Sequence, residues 1–217
     1  MTSNPTAPPE IEQTPYLLWL DLETTGLDET EGSILEVAAI ITDSDLKELG
    51  RKSWVIGADR SEIYPMMNDY VIGMHLNSGL LAEVWESKIN SAKVTCELRA
   101  MVVSHCKNSD FSLSKAVYLA GSSIAFDRRW MEAKWSGRRG YHLLEVLHYR
   151  MVDVSVYKTM FPGLLSQPEG GPVNRAMADV EYSLDQQRQM TRFVTAARKA
   201  GLYTVPQLGD DSDYYHC

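Results

Sequence analysis

Two acids stand two apart in "WLDLETTG", Asp21 and Glu23, at the end of an apolar run. On an extended strand both side chains project from one face, while Leu20 and Leu22 point to the other. Two carboxylates side by side on a core strand repel each other and resist burial unless a cation lies between them. A strand end already in solvent is the commoner explanation of an isolated pair. Two further acids change the weighing: Asp127 in "SSIAFDRRW" and Asp179 in "NRAMADVEYS". Alone, Asp127 beside Arg128 and Arg129 reads as a solvated salt-bridge cluster, and Asp179 as a favourable charge near a helix N-terminus. Together, four carboxylates spread over a strand and two helices can hold two divalent ions about 3.5–4 Å apart, the arrangement that clamps the attacking and leaving oxygens in phosphodiester cleavage. Hard oxygen ligands call for Mg²⁺ or Mn²⁺ rather than zinc.

Such acids need a scaffold, and the patterning supplies one. "YLLWLDLETTGL" is apolar, then polar, and ends at a Thr-Thr-Gly turn, so it predicts a buried strand with acids at its exit. "SILEVAAIITDSDLKEL" continues as a strand, a polar turn and the start of a third strand, a meander. "SGLLAEVWESKIN" and "SAKVTCELRAMVVSHCK" have helical spacing, with Ser78 and Ser91 as N-cap candidates. "AVYLAG" predicts a short buried strand and "SIAFDRRWMEAKW" a helix after it. Then come a helix around "YHLLEVLHY", a short strand "RMVDVS", a Gly/Pro loop "FPGLLSQPEGGPV" and a last helix from Asn174 to about Ala200. This order predicts an α/β layered domain with a mixed sheet.

The 217 residues are 44% hydrophobic and 23% charged, enough for one globular domain over 16–203 between a disordered tail (1–15) and an acidic tail (204–217). A net charge of −8 argues against a broad cationic surface for long nucleic acid, including long DNA, yet permits a short phosphate substrate where metal ions carry the positive charge. Three cysteines without a CxxC indicate neither a disulfide framework nor a zinc module. No apolar run approaches a membrane span; the longest, "ILEVAAII", is strand-sized and carries a Glu. The N-terminus matches neither a signal peptide nor an Arg-rich presequence, so a cytoplasmic protein is expected, with an organellar form from a longer precursor left open.

Taken in order, "LWLDLETTGL", "ILEVAAIITD", "HLNSGL", "SSIAFDRRW", "HYRMVDVSVYK" and "NRAMADVEYS" resemble the DEDD 3′-to-5′ exonucleases, and within them the oligoribonuclease family, which degrades very short RNAs. The resemblance runs from about residue 17 to 195 and implies an RNase H-like fold, a mixed sheet flanked by helices. It sets Asp21, Glu23, Asp127 and Asp179 on the family's metal-binding acids. One position departs. Where that family has His five residues before the last Asp, and its sister branch has Tyr four before it, this chain has Asn174 and Arg175. In the resembling enzymes the His takes the proton of the attacking water, a task for a group that titrates near neutrality. An amide can position water but not accept its proton, which predicts a rate lower by about 10²–10⁴-fold rather than none. Asn174 is also a good helix N-cap, and both roles are compatible.

The resemblance further implies how a short RNA is held. Leu27, otherwise an ordinary turn residue, matches a wedge between two bases. Tyr70 matches an aromatic platform, where the family has tryptophan. His75, which alone would be taken as structural, matches with Ser123, Arg150 and Ser155 a cap over the 5′ phosphate, for which an Arg fork and hydroxyls are suitable donors. Tyr149, otherwise a core or interface tyrosine, matches a residue reaching the partner subunit's site and implies a homodimer. The expected substrate is a 5′-phosphorylated dinucleotide, cleaved to nucleoside 5′-monophosphates. The alternatives are a general DEDD exonuclease on longer single strands and a catalytically impaired binder of short RNA, which the loss of the His favours.

Overall fold

A computed structural model describes residues 16–105, 117–135, 143–165 and 173–202. The two expected tails lie outside the described residues. Strand β1 (Tyr16–Thr24) lies at the centre of a five-stranded sheet, antiparallel to β2 (Ile34–Thr42) and parallel to β4 (Val117–Gly121). β3 (Glu48–Val55) pairs antiparallel with β2, and β5 (Met151–Asp153) pairs parallel with β4, giving the order β3-β2-β1-β4-β5. The expected meander and mixed sheet are both present.

Alternation along β1 divides the core between the two faces. Leu18, Leu20 and Leu22 pack with Val94, Leu98 and Val102 of α4 (Ser91–His105) and with Ile124, Trp130 and Trp135 of α5 (Ile124–Trp135). Trp19 points the other way, joining Ala38 and Ile40 of β2 and Ala176, Val180 and Leu184 of α7 (Ala176–Lys199). With both faces covered, every residue of β2 is buried, which is why that strand reads as an almost continuous apolar run.

A third cluster, around Leu35, Ile63, Leu80, Leu81 and Val84, seats α1 (Arg60–Ile63), α2 (Asp69–Asn77) and α3 (Leu80–Glu86) beside the start of β2. The sequence pattern did not announce α1 or α2. Asn68 caps α2 by accepting the N–H of Val71 at 2.9 Å. Ser78 and Ser91 are not the caps expected of them. Gly79, at φ +78°, precedes α3, and Asn90 accepts the Lys93 N–H in front of α4, leaving the Ser91 hydroxyl to accept from the Trp135 indole. The helix expected around "YHLLEVLHY" is a 3-10 turn over Leu143–Val146, its first two residues lying outside the described ones. α6 (Ser155–Met160) follows β5, and among the described residues no helix is long and apolar enough to cross a membrane.

Candidate active site

The ladder between β1 and β4 stops at the pair Trp19–Ala120, so the exit of β1 runs on with its β4-side edge open. A ligand in an open α/β sheet is accommodated at such carboxyl ends of parallel strands. Here Asp21 and Glu23 share the Trp19 side of β1, the side covered by α7, and Asp179 in the first turn of α7 meets them. Carboxylate oxygens of Asp21, Glu23 and Asp179 all lie within 4.8 Å of one another. Asp127, in the first turn of α5, reaches the open edge: its Oδ1 accepts the Leu22 N–H at 3.0 Å. The four acids expected to act together are therefore gathered at one strand exit.

Their electrostatics are those of a cation site. Burial, and then the charges of Asp127, Asp179, Glu23 and Glu36, push the Asp21 carboxyl well above the usual range. Glu23 is pushed up to about 8, first by burial, then by Asp179 and Glu36, with Arg175 opposing. Burial lifts Asp127 to about 7 against the hydrogen bonds that favour its anion, and it raises Asp179 against the pull of Lys158. Three acids whose oxygens face one another, with Asp127 at the same strand exit and all four disfavoured as anions by burial, fit hard divalent cations.

Two residues that pattern reading passed over complete the surroundings. Glu36, the single charge in "ILEVAAII", faces Glu23 across the β1–β2 ladder, is 2% exposed, and receives Arg175 through Nε and Nη2 at 3.0 and 3.1 Å. Its visible signal was that lone acid in an apolar strand. Asp153, at the end of β5, accepts with one Oδ1 from the Ser123 N–H and from both the N–H and hydroxyl of Ser155. It joins two residues expected at a phosphate cap, and holds Ser123 at φ +56°.

The other expected residues fall around this centre. Leu27 follows β1 and is 83% exposed; Tyr70, in the first turn of α2, is 78% exposed. The loop bearing Leu27 is braced by Asp28, whose Oδ1 accepts from Thr30 and Glu31, and by Lys134 donating to the Thr30 carbonyl. Tyr149 is 69% exposed, sits 4.4 Å from the His148 ring and lies under the Arg150 guanidinium, so the aromatic and the cation come as a stack. His75 is fully buried: Nε2 bonds the Thr24 carbonyl at 2.9 Å and Nδ1 lies 3.9 Å from Glu23. At that separation Nδ1 makes no hydrogen bond, so His75 lies behind the site and not on its surface. Asn174 is not the helix cap. Arg175 is, α7 begins at Ala176, and Asn174 stands just before it at φ +52°. The Glu36 carboxylate accepts the Ala176 N–H, so the cap interaction a side chain at the helix start would have made comes from β2.

Comparison with known proteins agrees with this geometry. The family model RNase_T, described as Exonuclease, matches residues 18–186. An oligoribonuclease from Corynebacterium glutamicum is 35% identical over 216 residues, covering 97% of this chain and 93% of that protein. The oligoribonuclease of Mycobacterium bovis is 38% identical over 186 residues, 82% of this chain and 81% of its own. Among solved structures, exonuclease I of Methylocaldum szegediense superposes with a TM-score of 0.51 at 18% identity, over 87% of this chain and 45% of its own. Escherichia coli exonuclease I bound to a 5cy-dT13 oligonucleotide gives 0.51 at 18%, over 90% and 47%. The chain spans under half the length of these two structures, and the likeness to them is one of fold.

Proposed function

This chain belongs to the RNase_T exonuclease family, and we propose that it is a 3′-to-5′ exoribonuclease specialised for very short RNA, dinucleotides with a 5′ phosphate above all. The observation that carries the reading is the convergence of Asp21, Glu23 and Asp179, with Asp127 hung on the Leu22 N–H at the same strand exit. Two Mg²⁺ or Mn²⁺ ions held by these acids would supply an activated water and charge stabilisation of the leaving oxygen. The chain's own residues do the rest. Leu27 and Tyr70, both largely exposed, offer apolar surface to the two bases. Ser123 and Ser155, fixed through Asp153, and Arg150, stacked on Tyr149, face the 5′ phosphate. Closure of that end limits the length of RNA accepted. His75, matched by resemblance to the phosphate cap, is buried behind Glu23 with Nε2 on the Thr24 carbonyl, so any part it has in that cap is indirect. Tyr149 projects from the surface, where a second copy of the chain would receive it.

Asn174 occupies the general-base position and can only orient the attacking water. The test is turnover of a 5′-phosphorylated dinucleotide with Mn²⁺, for this protein and Asn174→His. A gain of about 10²–10⁴-fold in kcat is expected for restoring a group that titrates near neutrality. A length series of 5′-phosphorylated RNAs completes it: equal rates on long and two-nucleotide substrates would overturn the short-RNA specificity, and tight binding without cleavage by either protein would make this chain a binder.

A further inference from the structure

Arg175 and Glu36 play no part in the reaction as proposed, yet both are built into its site. Glu36 is an acid on a strand whose nine residues are all buried, cross-strand from Glu23, and both its oxygens are taken: Oε2 by Arg175 Nε and the Ala176 N–H, Oε1 by Arg175 Nη2. The same guanidinium forks outward to Glu83 on α3, Nη1 at 2.7 Å and Nη2 at 3.0 Å. A planar fork engaging two carboxylates fixes both position and direction, which a lysine could not do. The Arg175 carbonyl also accepts the Asp179 N–H at 3.2 Å, so the clamped residue starts the very turn that delivers the third acid of the cluster.

Charge gives the clamp a purpose. Glu36 stands directly across the β1–β2 ladder from Glu23, itself one of the clustered acids, so without a partner it would act as a fifth acid beside the other four. Two divalent cations neutralise four carboxylates; the fifth needs its own cation, and Arg175 is placed to be it. A freed Glu36 would compete as a ligand, drawing metal towards β2 and away from the set formed by Asp21, Glu23, Asp179 and Asp127. Resting on the metal-dependent function proposed above, we infer that Arg175 is a positioning residue that withholds Glu36 from the metals, keeping the site to four acidic ligands and locking the start of α7.

A merely structural brace makes the opposite prediction for one readout. Losing a brace loosens the site and weakens metal binding; freeing the withheld Glu36 charge strengthens it while spoiling the geometry. Mn²⁺ binding by calorimetry, without RNA, and dinucleotide turnover are to be measured on the full chain and on Arg175→Met, and then on Arg175→Met combined with Glu36→Gln. Arg175→Met is expected to bind Mn²⁺ about tenfold more tightly, the scale of one unit charge on a divalent ion at partly screened protein distances. Its kcat should fall at least about tenfold. The added Glu36→Gln removes the freed charge, keeps an acceptor for the Ala176 N–H, and should return both quantities most of the way. Weaker Mn²⁺ binding by Arg175→Met, or a double variant no better than the single one, overturns the inference. Where Arg175→Met fails to fold, the double variant against the parent carries the test: near-parental Mn²⁺ affinity supports the charge role, and loss of Mn²⁺ binding refutes it. A parent that binds Mn²⁺ but cleaves no RNA would instead overturn the exonuclease reading, which the binding comparison does not depend on.

Discussion

At the scale of single residues, the site is governed less by which acids are present than by what holds their neighbours. Asp153 shows this. One of its oxygens takes three hydrogen bonds, from the Ser123 N–H and from the N–H and hydroxyl of Ser155. Ser123 is held in a left-handed conformation that a β-carbon disfavours, so it needs an external partner to stay there. Asp153→Ala should leave Asp21, Glu23 and Asp179 in place but release both serines. The rate on a 5′-phosphorylated dinucleotide should therefore fall towards that on its 5′-hydroxyl counterpart, with Mn²⁺ binding kept. An undiminished preference for the phosphorylated substrate would remove Ser123 and Ser155 from the phosphate cap.

At the scale of elements, the join between β4 and α5 is a tight positioning device for one of the acids. A β-carbon on Gly121 would lie 2.8 Å from the Leu20 carbonyl of β1 and 2.9 Å from the Ile124 side chain, and the carbonyl, being ladder backbone, cannot yield. Gly121→Ala should cost about 1–3 kcal/mol in urea unfolding and displace the helix that carries Asp127, lowering turnover with it. Gly73→Ala in α2, where an added β-carbon meets nothing within 4 Å, is expected to stabilise by about 0.5–1 kcal/mol. A neutral Gly121→Ala would mean that β4 slides freely. These elements were legible in the sequence to unequal degrees. The alternation that put Asp21 and Glu23 on one face and Leu20 and Leu22 on the other is a property of any strand, and the structure has it. The start of α7 was misplaced by two residues because the cap is made by Glu36, 140 positions away, and no local pattern carries that. α2 was missed because its nine residues bury only His75, leaving no apolar stripe to read.

At the scale of the whole molecule, the fold keeps its acids together at a cost in stability that a bound divalent cation would offset. Glu23 and Asp127 are held at about 8 and about 7, mainly by burial, whereas in the unfolded chain such groups titrate near 4. The sign follows. Between pH 4 and 8 the metal-free folded protein binds more protons than the unfolded chain, so its stability falls as pH rises through that window and levels off above it. Divalent metal bound at the proposed site would take the place of those protons, and would compete with them least well at low pH. The Tm of EDTA-treated protein should therefore be lower at pH 8 than at pH 6, and saturating Mn²⁺ should raise Tm more at pH 8 than at pH 6. Asp21→Asn removes the acid on which the others converge, so it should raise the metal-free Tm at pH 8 and abolish most of the Mn²⁺ effect. The −8 net charge acts in the same sense at every pH above the carboxylate range, but it is spread over the surface and screened by salt. The buried acids are screened far less, so repeating the series at high ionic strength separates the two. A pH dependence that vanishes in salt would assign the effect to the surface and not to the site.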